Sequence, residues 1–147
     1  MHKIEIEVNN TTNSPLPDDF FVGVAEKTFT EAGCGFLQEK NVVVSVALVS
    51  EEEMQKLNKQ CRHKDSVTDI LSFYEYESME EIKNVADAEI FLGELILCYD
   101  DIVKYAKEEK IDFMEELANV FSHGILHLLG FKHGEEMFEL QNKIKKQ

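Results

Sequence analysis

The sequence predicts one α+β domain over residues 1–147, a mixed four-stranded sheet packed against about five helices, one of them a metal-binding central helix. Three observations lead there. Strand-like segments fall in the first two thirds of the chain. Helical periodicity dominates the rest. No period of roughly 20–50 residues recurs, which sets aside a repeat architecture. A length of 147 residues also suits a single domain of roughly 100–200.

Each element has its own signal. Lys3 to Val8 alternates apolar Ile4, Ile6 and Val8 with Lys3, Glu5 and Glu7, as a half-buried strand does. Asn9 to Pro17 is loop chemistry. From Asp18 the period lengthens, placing Phe20, Phe21, Val24, Ala25 and Phe29 on one helical face with Gly33 as the stop. Asn41 to Val49 is a β-branched run without alternation, so a strand covered on both faces. Ser50 and Glu53 form a capping box that opens a helix through Met54 and Leu57. Cys61 to Val67 reads as a polar loop, Thr68 to Tyr76 as a strand, and Glu77 to Asp87 as an acidic exposed stretch. Glu89 to Leu97 is a fourth strand, with Gly93 at a bulge or close approach. A helix begins near Asp100 and ends before Ile111. Asp112 and Glu115 form a second capping box, and the helix they open is apolar on most sides as far as Leu129, where Gly130 stops it. A last amphipathic helix runs from Glu135 to about Lys145.

Composition excludes several classes. With 44% hydrophobic residues and ten Phe, the chain can build a core. The apolar runs Val42–Val49 and Ile125–Leu129 fall far short of the roughly 20 residues that cross a bilayer, so no membrane partner is expected. Met1 to Val8 has no signal-peptide core. Cys34, Cys61 and Cys98 include no C-x-x-C pair and read as reduced thiols of a cytoplasmic protein. The 15 basic and 29 acidic residues leave a net charge of −14, which argues against capture of nucleic acid by the molecule as a whole.

The strongest chemical signal is His123-Gly-Ile-Leu-His127-Leu-Leu-Gly130-Phe-Lys-His133. His123 and His127 lie four apart on a predicted helix and so share a face. Two imidazoles one turn apart can meet one metal ion at about 2.0–2.1 Å, and a turn at Gly130 can bring His133 to the same ion. Three neutral imidazoles leave a fourth position for water, and open sites of this kind are catalytic more often than structural. The spacing resembles the metal motif of the metzincin peptidases. Those carry Glu directly after the first His, and here that position is Gly124, which cannot serve as a general base. The second signal is local charge reversal. Lys56, Lys59, Arg62 and Lys64 fall within nine residues that contain no acid. Arg62 suits bidentate contact with a phosphate, and Lys59 and Lys64 suit looser contact. A solvated loop whose cations pair with Asp65 and Asp69 explains the lysines equally well.

Together the segments resemble the YbeY family of metal-dependent endoribonucleases, also called rRNA maturation factors. The resemblance rests on L-N-x-x-x-R-x-x-D-x-x-T-D-I-L-S-F at Leu57–Phe73, L-G-E-L-I-L-C at Leu92–Cys98 and H-G-x-L-H-L-L-G-x-x-H at His123–His133. It implies an α+β fold with one Zn²⁺ per chain on His123, His127 and His133, and a functional arginine at Arg62. Three imidazoles suit Ni²⁺ as well. It further implies cleavage of single-stranded RNA, processing of the 3′ end of small-subunit rRNA, ribosome quality control, and partners on the ribosome such as ribosomal proteins or an assembly GTPase. The chain departs from the family pattern at Cys61 (usually aromatic), Val67 (usually Pro), Glu94 (commonly Asp) and Lys132 (usually Asp). Lys132 adds positive charge beside the expected metal and is a further candidate for substrate contact. Asp69 and Glu94 are the carboxylates that could assist as bases. Two alternatives stay open: a zinc hydrolase acting on peptides or small molecules, and a non-catalytic ribosome assembly factor with a structural metal.

Overall fold

A computed structural model describes residues 3–12, 16–17, 19–132 and 134–145. Four strands form one sheet: β1 (Lys3–Asn10), β2 (Asn41–Val49), β3 (Ile70–Tyr74) and β4 (Glu89–Cys98), in the order β1-β2-β4-β3. β1 and β4 both run parallel to β2, and β3 pairs antiparallel to β4 as an edge strand. The helices are α1 (Phe20–Glu31), α2 (Glu51–Arg62), α3 (Met79–Lys83), α4 (Tyr99–Glu109), α5 (Phe113–Leu128) and α6 (Glu135–Lys145), with a 3-10 turn at Gly35–Glu39. The expected mixed four-stranded α+β sheet is therefore present, with six α-helices among the described residues where about five were expected.

The β-branched run of β2 lies between two strands and under helices on both sides, which is why it lacks alternation. One face of the sheet carries the main core, where Val42, Val44, Leu95 and Leu97 meet Phe21, Phe121 and Ile125 of α1 and α5. The other face carries a smaller cluster of Leu71, Ile96 and Cys98 with Met54 of α2. The N-cap half of each expected capping box forms. Ser50 Oγ accepts from the Glu53 N–H at 3.2 Å, and Asp112 Oδ2 accepts from the Glu115 N–H at 3.2 Å.

Three expectations change. Helix α2 continues through Arg62 and ends at His63, a left-handed C-cap at φ 60°, so Cys61 and Arg62 are helical and not loop. Strand β3 is shorter than Thr68–Tyr76. The stretch Glu77 to Asp87 is not uniformly exposed. Ser78 caps α3 by accepting from the Glu81 N–H at 3.2 Å, and Ile82 is fully buried in the main core. Ile82 anchors that acidic segment, with Met79 and Val85 packed partly buried against the same core.

Two glycines set how close the layers come. Gly93 sits where the β2–β4 register slips, at φ +143°, and a β-carbon there would run into the Phe73 carbonyl. Gly130 takes φ +96°, and a β-carbon there would stand 2.8 Å from Ser78 Cα. Both the backbone twist and the contact forbid a side chain at 130. Gly130→Ala is expected to cost roughly 1–3 kcal/mol, seen as a thermal midpoint several degrees lower; a midpoint within about 1 °C of the parent would contradict this account of the turn.

Candidate active site

The cleft of interest opens along the free edge of β3. Its volume is about 950 Å³. Helix α5 forms one wall, and the end of α2 with the segment 64–69 forms the other. Arg62, Lys64, Lys132, His123 and His127 all line it. The structure thus gathers residues that the sequence separates by about sixty positions. Lys59 is not among the lining residues; it lies 4.0 Å from Asp65 on the exposed surface. His133 lies outside the described residues.

His123 and His127 do share a face of α5. Their rings meet edge to face with centroids 4.6 Å apart, and the two Nε2 atoms are 3.0 Å apart. The other ring nitrogens fix the tautomers. His127 Nδ1 lies 3.1 Å from the Phe131 carbonyl oxygen, which can only accept. His123 Nδ1 lies 2.9 Å from Gln141 Oε1. The Gln141 amide cannot be turned around, because its Nε2 donates to the Asn119 carbonyl and Oδ1 at 3.2 and 3.3 Å. Each imidazole therefore carries its proton on Nδ1 and directs an Nε2 lone pair toward the other.

The two Nε2 atoms stand 3.0 Å apart on the cleft wall. Two metal–nitrogen bonds of about 2.0–2.1 Å at a tetrahedral angle would hold the nitrogens roughly 3.3–3.4 Å apart, a small adjustment from the observed gap. The donor set fits a divalent metal of the zinc type, with Nδ1 partners of the kind that orient histidine ligands.

Arg62 projects from the last turn of α2. Its Nη2 donates to the Ser72 carbonyl at 2.9 Å, and its guanidinium lies over the Phe73 ring, 5.7 Å from the centroid. Those two contacts hold the plane of the group at the β3 edge, leaving its remaining donors for an anion. Lys64 and Lys132 give the cleft two further cations, against Asp69, Glu77 and Glu116. Charge is thus balanced here in a molecule whose net charge is −14.

The sequence reading missed several cleft residues. Glu116 lies on α5 seven residues before His123, two turns along the same face, and is only 8% exposed. That spacing was visible in the sequence. Asn119 is one turn before His123 and could have been found the same way. Gln141 comes from another helix and left no local signal. Glu94 accepts from Ser45 Oγ at 3.3 Å and does not line the cleft, whereas Asp69 does. Gly124 faces the sheet, where a β-carbon would stand 2.6 Å from Ile70 Cδ1 and 2.9 Å from Leu95 Cδ2. An acid at that position would press on the core and not on the cleft. The cysteines Cys34, Cys61 and Cys98 are free thiols. Burial pushes the Cys34 and Cys98 thiols up to about 11, so neither is a thiolate at neutral pH.

A family model described as Endoribonuclease YbeY matches residues 6–147. The chain belongs to the endoribonuclease YbeY family. A Francisella philomiragia protein named Endoribonuclease YbeY is 33% identical over 153 aligned residues, covering 98% of this chain and 90% of that one. A Bacillus pumilus protein of the same name is 42% identical over 109 residues, covering 69% of each chain. The solution structure of TM1509 from Thermotoga maritima superposes with a TM-score of 0.60 at 29% identity, covering 99% of this chain and 87% of that one. Membership places the chain among the endoribonucleases. No helix among the described residues is long and apolar enough to cross a membrane.

On α4, burial first and then the charges of Asp69 and Glu51 hold the Asp101 carboxyl above the usual carboxylate range. The folded chain therefore binds this proton more tightly than the unfolded chain. The associated stability is complete below the ordinary carboxylate value of about 3.9 and is lost as pH rises through the elevated folded value. Asp101→Asn should gain thermal midpoint relative to the parent as pH rises from about 3 to about 7. A difference that stays constant across that range would show that the fold does not raise this carboxyl.

Proposed function

We propose that the chain is a metal-dependent endoribonuclease that cuts single-stranded RNA in the cytoplasm, with one zinc ion held by His123, His127 and His133. The observation that supports this most directly is the meeting, in one cleft, of two converging imidazole lone pairs and an arginine held by the β3 edge. A zinc-type ion at that point supplies Lewis acidity toward a phosphoryl oxygen and toward water.

The chain's own residues do the remainder. Arg62 is the catalytic group at the scissile phosphate. Its guanidinium is already fixed by Ser72 and Phe73, so little reorganisation is needed as negative charge builds on the phosphoryl oxygens. Lys64 and Lys132 draw the neighbouring phosphates, and Lys132 takes this part where the family usually has Asp. Lys59, engaged with Asp65, contributes at most to the approach of the strand. Tyr74, 56% exposed and lining the cleft, offers a ring on which an unpaired base can stack, which favours single strands over duplex. Asp69 and Glu116 are the carboxylates placed to accept a proton.

The −14 charge works against free RNA, so the substrate is best presented by the ribosome or by a protein bound there. This agrees with a place in 3′-end maturation of small-subunit rRNA and in ribosome quality control. Peptidase chemistry finds no support, because position 124 faces Ile70 and Leu95.

The test is cleavage of a single-stranded oligoribonucleotide and of its duplex by zinc-loaded and chelator-treated protein. Loaded protein should cut the single strand, and chelation should stop it. Arg62→Ala should lose about 10²–10³-fold in rate while still binding zinc. His123→Ala and His127→Ala should lose both zinc and cleavage. Undiminished cutting in either histidine variant would refute the metal-dependent mechanism.

A further inference from the structure

We infer that Gln141, on the C-terminal helix α6, is a positioning residue that sets the tautomer and tilt of His123, so that metal affinity depends on the docking of α6. The two imidazoles are oriented by unlike means. His127 is fixed locally, by the Phe131 carbonyl at the end of its own helix. His123 is fixed from outside its helix, by Gln141 Oε1 at 2.9 Å.

The direction of that contact is forced by a chain of three groups. The Asn119 main-chain oxygen can only accept, so the Gln141 nitrogen must face it. The Gln141 oxygen must then face His123, and His123 must donate from Nδ1. The lone pair is left on Nε2, the atom 3.0 Å from His127 Nε2. Asn119 sits one turn before His123, so α5 supplies both the ring and the group that orients its partner. Helix α6 is seated by Met137 and Ile144, both buried in the main core. With an aliphatic side chain at 141, nothing in this chain of contacts selects the Nδ1–H form, and a fraction of His123 would present a proton to the metal position.

Two readouts test this. The first needs no metal: long-range proton–nitrogen NMR spectra of the metal-free protein, taken about two pH units above the ordinary imidazole value of about 6.5. The parent should show His123 as the Nδ1–H form, and Gln141→Met should show a mixture of both tautomers. The second readout is zinc affinity by chelator competition, which rests on the metal reading proposed above. Gln141→Met should weaken it about 10–100-fold, with the thermal midpoint of the metal-free chain nearly unchanged. Gln141→Asn, whose amide is one methylene too short to span Asn119 and His123, should behave the same way and covers the case in which the first variant folds poorly. Retention of a pure Nδ1–H tautomer in both variants would overturn the inference, whatever the metal does. A parent that shows the tautomer change on substitution but binds no zinc would instead refute the metal reading and leave the positioning role intact.

Discussion

The candidate site depends on two imidazoles whose Nε2 lone pairs point at one another across 3.0 Å. Left alone, neutral histidines would rotate or exchange tautomers to avoid that repulsion. Here both alternatives are blocked, because each Nδ1 is engaged by an oxygen that can only accept. The arrangement gathers two ring nitrogens at one point on the cleft wall. Everything else in the cleft is placed in relation to that point.

The sheet supplies the placement. Because β3 is an edge strand, its outer side is open to a ligand, while its inner side is hydrogen-bonded to β4. Helices α2 and α5 cover opposite faces of the sheet, so their functional residues can meet only around that edge. Arg62 does so from the last turn of α2 by donating to Ser72. The histidines do so from α5, which lies close to the sheet because residue 124 has no side chain. Gly130 then permits the chain to turn sharply against Ser78, bringing Phe131 back under His127. A side chain at 124 or 130 would alter packing first and chemistry as a consequence.

Electrostatics follow the same division. The chain as a whole is acidic, and on α4 burial first and then the charges of Asp69 and Glu51 raise the Asp101 carboxyl. Within the cleft, Arg62, Lys64 and Lys132 offset Asp69, Glu77 and Glu116. Such a molecule concentrates cations in one cleft without a long-range field that draws in nucleic acid indiscriminately. That contrast fits a substrate delivered already bound to a larger assembly.

The sequence by itself determined the elements whose cause is local. Alternation marked β1, an unbroken β-branched run marked β2, and Ser50 and Asp112 announced α2 and α5, because hydrophobic period and cap chemistry act within a few residues. The same locality placed His123 and His127 on one face. Local signals also misled where a few apolar side chains outweighed composition: Ile82, with Met79 and Val85, holds α3 against the core within a stretch whose charges suggest exposure. Only the tertiary structure decided that Arg62 shares a cleft with the histidines, that Lys59 turns to Asp65, that Glu94 faces Ser45, and that Gln141 contacts His123. Those contacts join groups from different elements. They depend on strand order and on how closely the helices approach the sheet, quantities that no short window of residues contains.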